Sequence, residues 1–528
     1  GAFSMKKAMK KLMAALLAVA MVCAMVVPAW AASEDISNHS FSAFQIFKGT
    51  VNGNTLSNVA WGDSITNPTD FLSQLKADTT IGGQFTSATT VQDVLDIIGK
   101  WHDSDNDSLA FASFVYDYFY PTTTATPNAA VTSTNSNKLD FTTAGAGYYL
   151  IVDTTSISPS TGLHFARNSF LLKVTEAKEV TVHSKVEKPS VKKEVYDNQD
   201  GTSNAAGFGS SADHAINEEF QFKLTATVPA STDRVYDHYN KYTIYFNDTL
   251  SEGITYDRLD SVVVTDSNGT SYTLDESKYD LNLADLSTYN YFALQIKDVK
   301  TCVDGLNLND GATITVTYTA HLNEKAYVNT GSGITTNKNK VLLQYSNNPK
   351  NAASWGFTPE EEVYVFTYQL NNTKYKDANA AGNELEGAGF RLYSDKDCSQ
   401  EVELYKEGNF YYPIKNATGK TAVEMFSDKD GQFNVKGLDA GTYYLKETTT
   451  PANYNTCPDT EIVISATHSN DTVTLSNDSN LTNGIVNKSG ITLPGTGGIG
   501  TTIFYVVGGG LMVAAGVLLI TKKRMENR

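Results

Sequence analysis

Residues 314–320 read ITVTYTA, a strict alternation of apolar side chains with threonine. Residues 220–226, which read FQFKLTA, repeat the same period of two. Because successive side chains of a β-strand point to opposite faces, this period predicts antiparallel strands with one buried face. Residues 189–356 contain both segments, and we therefore expect them to form an immunoglobulin-like sandwich of two antiparallel sheets.

A shorter all-β unit is expected to follow this sandwich. Residues 361–488 carry short alternating runs that are bounded by turn residues. Asp430-Gly431 within them is a hairpin signal, because glycine readily adopts the left-handed backbone of tight hairpin turns. We interpret this unit as a second immunoglobulin-like sandwich.

The N-terminal unit has a different pattern. In residues 32–186, apolar side chains recur at helical spacing over 91–101 and 111–118. Strand-like runs at 147–152 and 170–174 accompany them. The expected fold is therefore mainly β, with tandem immunoglobulin-like sandwiches preceded by an α+β N-terminal domain.

The composition excludes several classes of function. The 528 residues include 58 acidic and 41 basic side chains, a formal charge of −17 that repels phosphate backbones, and we expect no nucleic-acid partner. The eight histidines show neither HExxH nor HxH spacing, and no nucleophile elbow is present, so we expect no metal, no cofactor and no hydrolase activity. Cys398 and Cys457 both lie in the last sandwich. The sequence is compatible with a disulfide between them and with two free thiols.

Both ends of the chain carry targeting signals. Residues 5–31 have a basic start, an apolar run and the small residues Ala29 and Ala31, the pattern of a secretory signal cleaved after Ala31. An N-terminal membrane anchor is the alternative interpretation. At the other end, residues 499–521 carry no charge and can span a hydrocarbon core of about 30 Å. The basic tail 522–528 would hold that end in the cytoplasm.

A short motif precedes the C-terminal apolar segment. It consists of Leu493, Pro494, Gly495, Thr496 and Gly497. The order of LPxTG, apolar helix and basic tail resembles the cell-wall sorting signal of Gram-positive surface proteins. The resemblance implies that a sortase thiolate attacks the carbonyl of Thr496, releases the chain from Gly497 onward and holds the protein as a thioester until an amine resolves it. A plain membrane-anchored ectodomain is the alternative.

Each predicted sandwich has three polar side chains on strand faces that are otherwise apolar. They are Lys193, Asp248 and Asn347 in the first sandwich and Lys374, Glu447 and Asn487 in the second. An unpaired buried charge costs several kcal/mol. A simple pair of lysine and carboxylate would remove most of this cost, but it does not account for the recurring asparagine.

A reaction among the three side chains does account for the asparagine. Burial disfavours charge, so that a buried lysine shifts toward the nucleophilic amine and a buried acid toward its neutral form. The neutral acid can polarise the asparagine carbonyl while the amine attacks it. Loss of ammonia then leaves an isopeptide bond, in a single turnover within one chain.

Four parts of the sequence have a further resemblance. They read YYLKET at 443–448, EGAGFRLY at 386–393, YSNNP at 345–349 with NDTLS at 247–251, and QIFKG at 45–49 with WGD at 61–63. In this order they resemble the E-box, the early strand of a CnaB domain, the CnaA-like middle domain and the first domain of sortase-assembled major (backbone) pilins of Gram-positive bacteria, of the FimA and SpaA type.

The resemblance implies one isopeptide bond in each sandwich. The bonds are Lys193–Asn347, assisted by Asp248, and Lys374–Asn487, assisted by Glu447. Each bond would join the first and last strands of its sandwich. Lys192 and Asn348 are the neighbouring candidates, and strand parity turns both outward. In the N-terminal domain, Lys48 and Asn168 could form a further pair, for which no acid partner stands out.

The resemblance also implies a lysine that joins one subunit to the next. Backbone pilins carry this lysine in a motif of the form WxxxVxVYPK. The matching stretch, residues 176–185, keeps the valine alternation and Lys185 but replaces the Trp, Tyr and Pro. Lys185 is therefore the first choice and Lys188 the second.

The expected function is structural: the chain would be the shaft subunit of a covalent pilus, secreted and anchored to the Gram-positive cell wall. A class C pilin sortase would join Thr496 to Lys185 of the next, identical subunit, and a housekeeping sortase would attach the fibre to peptidoglycan. Minor tip and base pilins would be further partners, and an adhesion ligand on a host or bacterial cell is left open. If both Lys185 and Lys188 are ordinary solvated side chains, the alternative is a monomeric wall-anchored adhesin.

Overall fold

The structure is a computed structural model that describes residues 40–526 with internal gaps. The gaps are 53–54, 102–105, 120–128, 136–137, 143–144, 155–168, 175–178, 182–187, 199–205, 232–233, 350–351, 353 and 492–498. The expected secretory signal 5–31, the motif 493–497, Lys185 and Asn168 therefore lie outside the described residues.

The N-terminal unit combines a sheet with helices, as the mixed pattern predicts. Its strands are β1 (Ser40–Asn52), β2 (Thr55–Trp61), β3 (Ala129–Asn135), β4 (Lys138–Asp140), β5 (Gly147–Asp153), β6 (Ser169–Val174) and β7 (Glu179–Thr181). Its helices are α1 (Pro68–Ala77), α2 (Val91–Ile98) and α3 (Asn106–Phe119). The sheet has the order β6-β5-β1-β3-β4-β7, with β2 paired to β1. Phe71 of α1, Val94 of α2 and Phe114 of α3 share one core with Phe47 and Tyr148 of the sheet.

The second unit is the expected sandwich of two sheets. Its strands are β8 (Ser190–Asp197), β9 (Gly207–Gly209), β10 (Ser211–Asp213), β11 (Glu219–Val228), β12 (Ile244–Leu250), β13 (Ile254–Asp266), β14 (Ser271–Thr273), β15 (Tyr279–Asn282), β16 (Tyr291–Ile296), β17 (Ala312–Leu322), β18 (Gly333–Ile334), β19 (Lys338–Ser346), β20 (Trp355–Phe357) and β21 (Glu361–Phe366). The short helix α4 (Leu286–Tyr289) precedes β16. One sheet has the order β14-β13-β17-β11-β8-β9, and the other has the order β10-β21-β19-β12-β16-β15 with β20 on β19.

The two segments that predict this sandwich are central neighbours in it. Residues 220–226 lie in β11 and residues 314–320 in β17, and the two strands pair antiparallel with Phe220 opposite Ala320. Along β11 every second residue is buried, which is the alternation that the sequence shows. The buried faces of the two sheets meet in one continuous core.

The boundary between the two sandwiches differs from the expected one. Strand β21 pairs antiparallel with β19 and parallel with β10, so residues 361–366 belong to the second unit. Only Thr367 separates β21 from the next strand, which begins at Tyr368. No turn residue marks this junction; the change of sheet shows only as a shift of phase, from Val363 and Val365 to Phe366, Tyr368 and Leu370.

The third unit is a smaller sandwich. Its strands are β22 (Tyr368–Lys376), β23 (Gly389–Tyr393), β24 (Leu404–Glu407), β25 (Phe410–Pro413), β26 (Met425–Phe426), β27 (Val435–Leu438), β28 (Gly441–Thr449), β29 (Thr460–Ile464), β30 (Ala466–Ser469), β31 (Thr472–Leu475) and β32 (Thr482–Asn487). Its sheets have the orders β24-β25-β27-β22-β32 and β26-β23-β28-β29. A small third sheet, β18-β31-β30, joins this unit to the second one.

The Asp430-Gly431 signal marks a turn but not a hairpin. Gly431 has a φ of 72°, as a tight turn requires. The flanking strands β26 and β27, however, belong to opposite sheets of the sandwich. The prediction of a hairpin was therefore wrong, because a turn signal does not specify which strand its neighbour will pair with.

The C-terminal apolar segment is helix α5 (Ile499–Met525). Residues 503–525 of α5 form the one helix in the described part of the chain that is long and apolar enough to cross a membrane. Lys522, Lys523 and Arg524 lie in its last turn. This order of an apolar span and a basic end is the one that the sequence predicts.

Candidate isopeptide sites

The three polar residues predicted for the third unit meet in its core. Lys374 lies on β22 and Asn487 on the neighbouring parallel strand β32, while Glu447 lies on β28 in the facing sheet. Lys374 Nζ donates to Asn487 Oδ1 at 2.5 Å, and Asn487 Nδ2 donates to Glu447 Oε1 at 2.7 Å. Lys374 Nζ is also 3.5 Å from Glu447 Oε1. Glu447 therefore contacts both the amide nitrogen of Asn487, which would leave, and the amine of Lys374, which would attack.

Strand alternation explains why these residues are buried. Along β28 the buried side chains are Tyr443, Leu445 and Glu447, so the carboxyl group continues an apolar face. Lys374 and Asn487 are 0% exposed and Glu447 is 4% exposed. In such a site each charge lacks water, and the ion pair, the hydrogen bonds and the Phe390 ring 5.1 Å from Lys374 Nζ compensate for that loss.

Backbone contacts fix the reacting groups in place. Lys374 N donates to Gly431 O at 2.7 Å, so the turn at Gly431 is attached to the strand that carries the lysine. A Cβ added to Gly431 would lie 2.5 Å from Lys374 O, which only glycine avoids. Cys457 N donates to Glu447 Oε2 at 2.9 Å, and this leaves Oε1 for Asn487.

In the second unit, Lys193 of β8 and Asp248 of β12 face each other across the two sheets. Lys193 Nζ forms an ion pair with Asp248 Oδ2, and neither side chain is exposed. The hydroxyl of Tyr318 accepts a hydrogen bond from Lys193 Nζ at 3.3 Å and donates one to Asp248 Oδ1 at 3.1 Å. The structure thus brings together the predicted lysine and acid and adds a tyrosine to them.

Burial shifts both groups of this pair toward their neutral forms. Desolvation lowers the pKa of Lys193 to about 8, against the opposing attraction of Asp248. Desolvation also raises the pKa of Asp248, although Lys193 and Tyr318 favour its carboxylate. Neutral amine and neutral acid are the forms that attack and polarise an amide.

The predicted partner of this lysine, Asn347, lies too far along the sheet. In the ladder between β12 and β19, Asp248 is opposite Val341. Asn347 is six residues beyond Val341, which corresponds to about 20 Å along the strand. A lysine side chain that contacts Asp248 does not span that distance. Asn347 is buried, as predicted, but the register does not bring it to Lys193.

Another asparagine of β19 lies beside the pair. Asn339 is two residues before Val341 on the same face and is 0% exposed. Its Nδ2 donates to the Tyr318 hydroxyl at 2.5 Å, so Asn339 and Lys193 contact the same oxygen atom. Its Oδ1 makes no hydrogen bond to the described residues. Asn339 has the same strand parity as Asn347, so the alternation that identifies Asn347 also identifies Asn339, eight residues earlier.

The neighbouring candidates are placed differently. Lys192 points outward and pairs with Glu194 at 2.7 Å, as strand parity predicts. Asn348 is buried, because β19 ends at Ser346 and the alternation ends with it. Lys48 is about half exposed and forms an ion pair with Asp63 at the surface, which is not the buried setting of an isopeptide lysine.

The cysteines of the third unit are not bonded to each other. Cys398 and Cys457 are both free thiols. Cys457 Sγ accepts a hydrogen bond from Lys374 Nζ at 3.3 Å, whereas Cys398 Sγ lies 3.6 Å from Asp459 Oδ2. Of the two alternatives, a disulfide or two free thiols, the structure has the free thiols.

Comparison with known protein families identifies two parts of the chain. Residues 371–479 match the SpaA family, described as a prealbumin-like fold domain. Residues 485–527 match the LPXTG cell wall anchor motif. The chain is therefore a cell-wall-anchored surface protein with a SpaA-type domain next to its anchor, and sortase processes it at that anchor. No curated protein matches the chain.

Solved structures to which the chain shows similarity include several pilins. The T6 backbone pilin of Streptococcus pyogenes serotype M6 is 18% identical, with a TM-score of 0.47 over 85% of this chain and 96% of that one. The full-length major pilin SpaD of Corynebacterium diphtheriae is 17% identical, with a TM-score of 0.42 over 89% and 96%. The 35 kDa C-terminal fragment of the major pilin GBS80 of Streptococcus agalactiae is 22% identical, with a TM-score of 0.40 over 57% and 100%.

Proposed function

We propose that this chain is the shaft subunit of a covalently polymerised surface pilus whose sandwiches are crosslinked internally. The observation that carries this proposal is the buried contact of Lys374, Asn487 and Glu447 directly before the anchor. Asn487 ends the last strand of the third unit, and the LPxTG motif begins six residues later at Leu493. Tension that enters at the motif would thus reach the proposed bond first.

The reaction at this site balances within the chain. Lys374 Nζ attacks the amide carbon of Asn487, the new C–N bond forms, and the bond to Asn487 Nδ2 breaks. Glu447 accepts a proton from the attacking amine and returns one to the leaving nitrogen, which departs as ammonia. In the second unit, we infer the same reaction between Lys193 and Asn339, with Asp248 as the acid.

A bond of this kind stabilises the fold in two ways. Lys374 and Asn487 are 113 residues apart, and a crosslink that closes a loop of this length contributes roughly 5 kcal/mol by restricting the unfolded chain. Under tension, the bond also carries force that would otherwise break the hydrogen bonds between strands. A subunit of a long fibre needs the second effect more, since each subunit bears the whole pull on the fibre.

Polymerisation needs an amine that is supplied by the next subunit. Lys185 remains our first choice for this amine and Lys188, which is exposed, the second. A class C pilin sortase would transfer the Thr496 carbonyl to that amine with release of the chain from Gly497 onward. A housekeeping sortase would then transfer the last subunit to peptidoglycan, and minor pilins would occupy the tip and the base.

Denaturing electrophoresis of cell-wall extracts tests this proposal. We expect a ladder of high-mass species that contain the chain, and we expect replacement of both Lys185 and Lys188 by Ala to collapse it to the monomer. Lys192→Ala is the matched control, because Lys192 is an exposed lysine on the adjacent strand, and it should leave the ladder intact. A single band of monomer mass from unaltered cells would contradict polymerisation and favour the monomeric adhesin.

A further inference from the structure

A second buried polar cluster lies where the second and third units meet, and the crosslinking chemistry does not use it. We call Asp197, Asp213 and His468 the junction cluster. Asp197 ends β8 and Asp213 ends β10 in the second unit, while His468 lies on β30 in the third. The three residues are 2%, 0% and 3% exposed. Two carboxyl groups and an imidazole are therefore held together away from water.

The donor atoms of the junction cluster have the spacing of metal ligands. His468 Nε2 is 3.0 Å from Asp197 Oδ2 and 3.8 Å from Asp213 Oδ1. One donor atom from each residue lies within 4.8 Å of the others. Around a tetrahedral Zn²⁺ ion with bonds of about 2.0–2.2 Å, ligand atoms are about 3.3 Å apart. Small side-chain adjustments would bring the three atoms onto one ion.

Neighbouring groups orient these donors toward a common centre. Ser211 Oγ is 2.8 Å from His468 Nδ1, so the second ring nitrogen is engaged and Nε2 is left to face the two aspartates. Tyr368 donates to Asp213 Oδ2 at 2.9 Å. Asp213 Oδ1, in contrast, makes no hydrogen bond to the described residues. A fully buried carboxylate oxygen without a hydrogen-bond donor is rare in proteins, and a bound cation would satisfy it.

The surrounding charges also favour a cation. His214, Glu218 and Asp439 form an adjacent group whose donor atoms lie within 4.8 Å of one another. Lys415 pairs with Glu218 at 2.6 Å. The two groups together bring four acidic side chains close to one lysine, Lys415. Buried carboxylates that lack a compensating positive charge are costly, and a divalent cation would compensate them.

We propose that Asp197, Asp213 and His468 bind one divalent transition-metal ion, with Zn²⁺ as the best match, that ties the second unit to the third. A nitrogen donor beside two carboxylates suits Zn²⁺ better than Ca²⁺ or Mg²⁺, which prefer all-oxygen sites. Water would complete the tetrahedral set. The ligands are far apart in the sequence and share no short motif, which explains why the spacing of the histidines predicts no metal.

Calorimetric titration of the purified mature protein with Zn²⁺, after treatment with EDTA and dialysis, tests the site. We expect one equivalent to bind, with Ca²⁺ at least about tenfold weaker. Asp213→Asn, which keeps the shape of the side chain, and His468→Gln should each weaken binding by about 100-fold or more. His321→Gln is the matched control, because His321 pairs with Asp257 at 2.8 Å away from the junction, and its affinity should be unchanged.

Two results would overturn the proposal. One is an unaltered protein that binds no Zn²⁺, and the other is Asp213→Asn or His468→Gln with the affinity of the unaltered protein. Intact mass gives the folding control, because a variant that still loses the ammonia of its isopeptide bonds has folded. Zinc-edge X-ray absorption of the loaded, unaltered protein tests the ligands directly. One imidazole among oxygen ligands is expected, and a sulfur ligand or a second imidazole would contradict the site.

Discussion

Asp248 is opposite Val341 in the ladder between β12 and β19. This register decides which asparagine Lys193 can reach, because it places Asn339 two residues away and Asn347 six. We expect the mature Asn339→Ala protein to lie about 17 Da below its sequence mass, against about 34 Da for the unaltered protein, since only the bond of the third unit still releases ammonia. Asn347→Ala should leave both bonds formed. Intact-mass spectrometry separates the two variants, and the reverse pattern would restore Asn347 as the partner.

The bond of the third unit has a matched control on the same strand. Asn483 and Asn487 both lie on the buried face of β32, but Asn483 contacts Asn372 instead of Lys374. We expect Asn487→Ala and Glu447→Ala each to lack the loss of one ammonia, about 17 Da, that the bond of the third unit causes. Asn483→Ala should still show this loss. Tryptic peptides should show Lys374 joined to Asn487 in the unaltered protein. Retention of the crosslink in Glu447→Ala would mean that the acid does not assist the reaction.

Tyr318 should assist the second unit without being a reactant. Tyr318→Phe removes the hydroxyl that contacts Lys193, Asp248 and Asn339. We expect incomplete crosslinking in this variant, seen as two masses about 17 Da apart, and a loss of about 1–3 kcal/mol in the free energy of unfolding. Tyr256→Phe is the control, because its ring packs on Tyr318 at 5.6 Å between centroids while its hydroxyl makes none of these contacts. Complete crosslinking in Tyr318→Phe would show that Asp248 suffices.

Without its bond, the second unit should become more stable as the pH rises. In Asn339→Ala the amine of Lys193 persists, with a pKa lowered from 10.5 to about 8. Between these two values the unfolded chain holds a proton that the folded chain has released, so the free energy of unfolding should rise by up to about 3 kcal/mol. Urea titrations at pH 8, 9 and 10 measure this change, read by Trp355 fluorescence in a chain with Trp61 and Trp101 replaced by Phe. The control is the double variant Lys193→Met with Asn339→Ala, which lacks the titrating amine. The same rise in the free energy of unfolding in this variant would show that Lys193 is not its source.

Two glycines with the same φ allow the cost of a left-handed backbone to be measured apart from the cost of a steric clash. Gly431 and Gly419 both have a φ of 72°, but only at Gly431 would an added Cβ meet the backbone, 2.5 Å from Lys374 O. Gly419→Ala should cost about 1 kcal/mol, because of its left-handed backbone alone. We expect Gly431→Ala to cost more and to displace Lys374 from Asn487, so that crosslinking is incomplete by mass. Equal effects at both positions would mean that the contact with Lys374 is relaxed easily.

The strand periods predict the units of the fold well, because burial of one face of a strand requires an apolar residue at every second position. The helices over 91–98 and 106–119 follow from helical spacing for the same reason. The sheet to which a strand belongs is a different matter. Strand β21 has the alternation of either sandwich, and its pairing with β10 and β19 depends on contacts between distant segments.

The candidate sites show the same division. Parity alone identifies the buried Lys193, Asp248, Lys374 and Glu447, because each continues an apolar face. Register does not follow from parity. It brings Asn487 to Lys374 as predicted, but it brings Asn339 instead of Asn347 to the lysine of the second unit. The junction cluster needs the packing of two units and has no local pattern at all.

The contact between Lys374 and Asn487 also bears on resistance to proteases. Residues 375–486 lie between the two ends of the proposed bond. Once the bond exists, a protease that cleaves the backbone anywhere in this interval leaves both pieces covalently attached through the side chains. An exposed loop of the third unit could thus be cut on the cell surface while the filament stays in one piece, and its sequence would be free to vary under attack from outside.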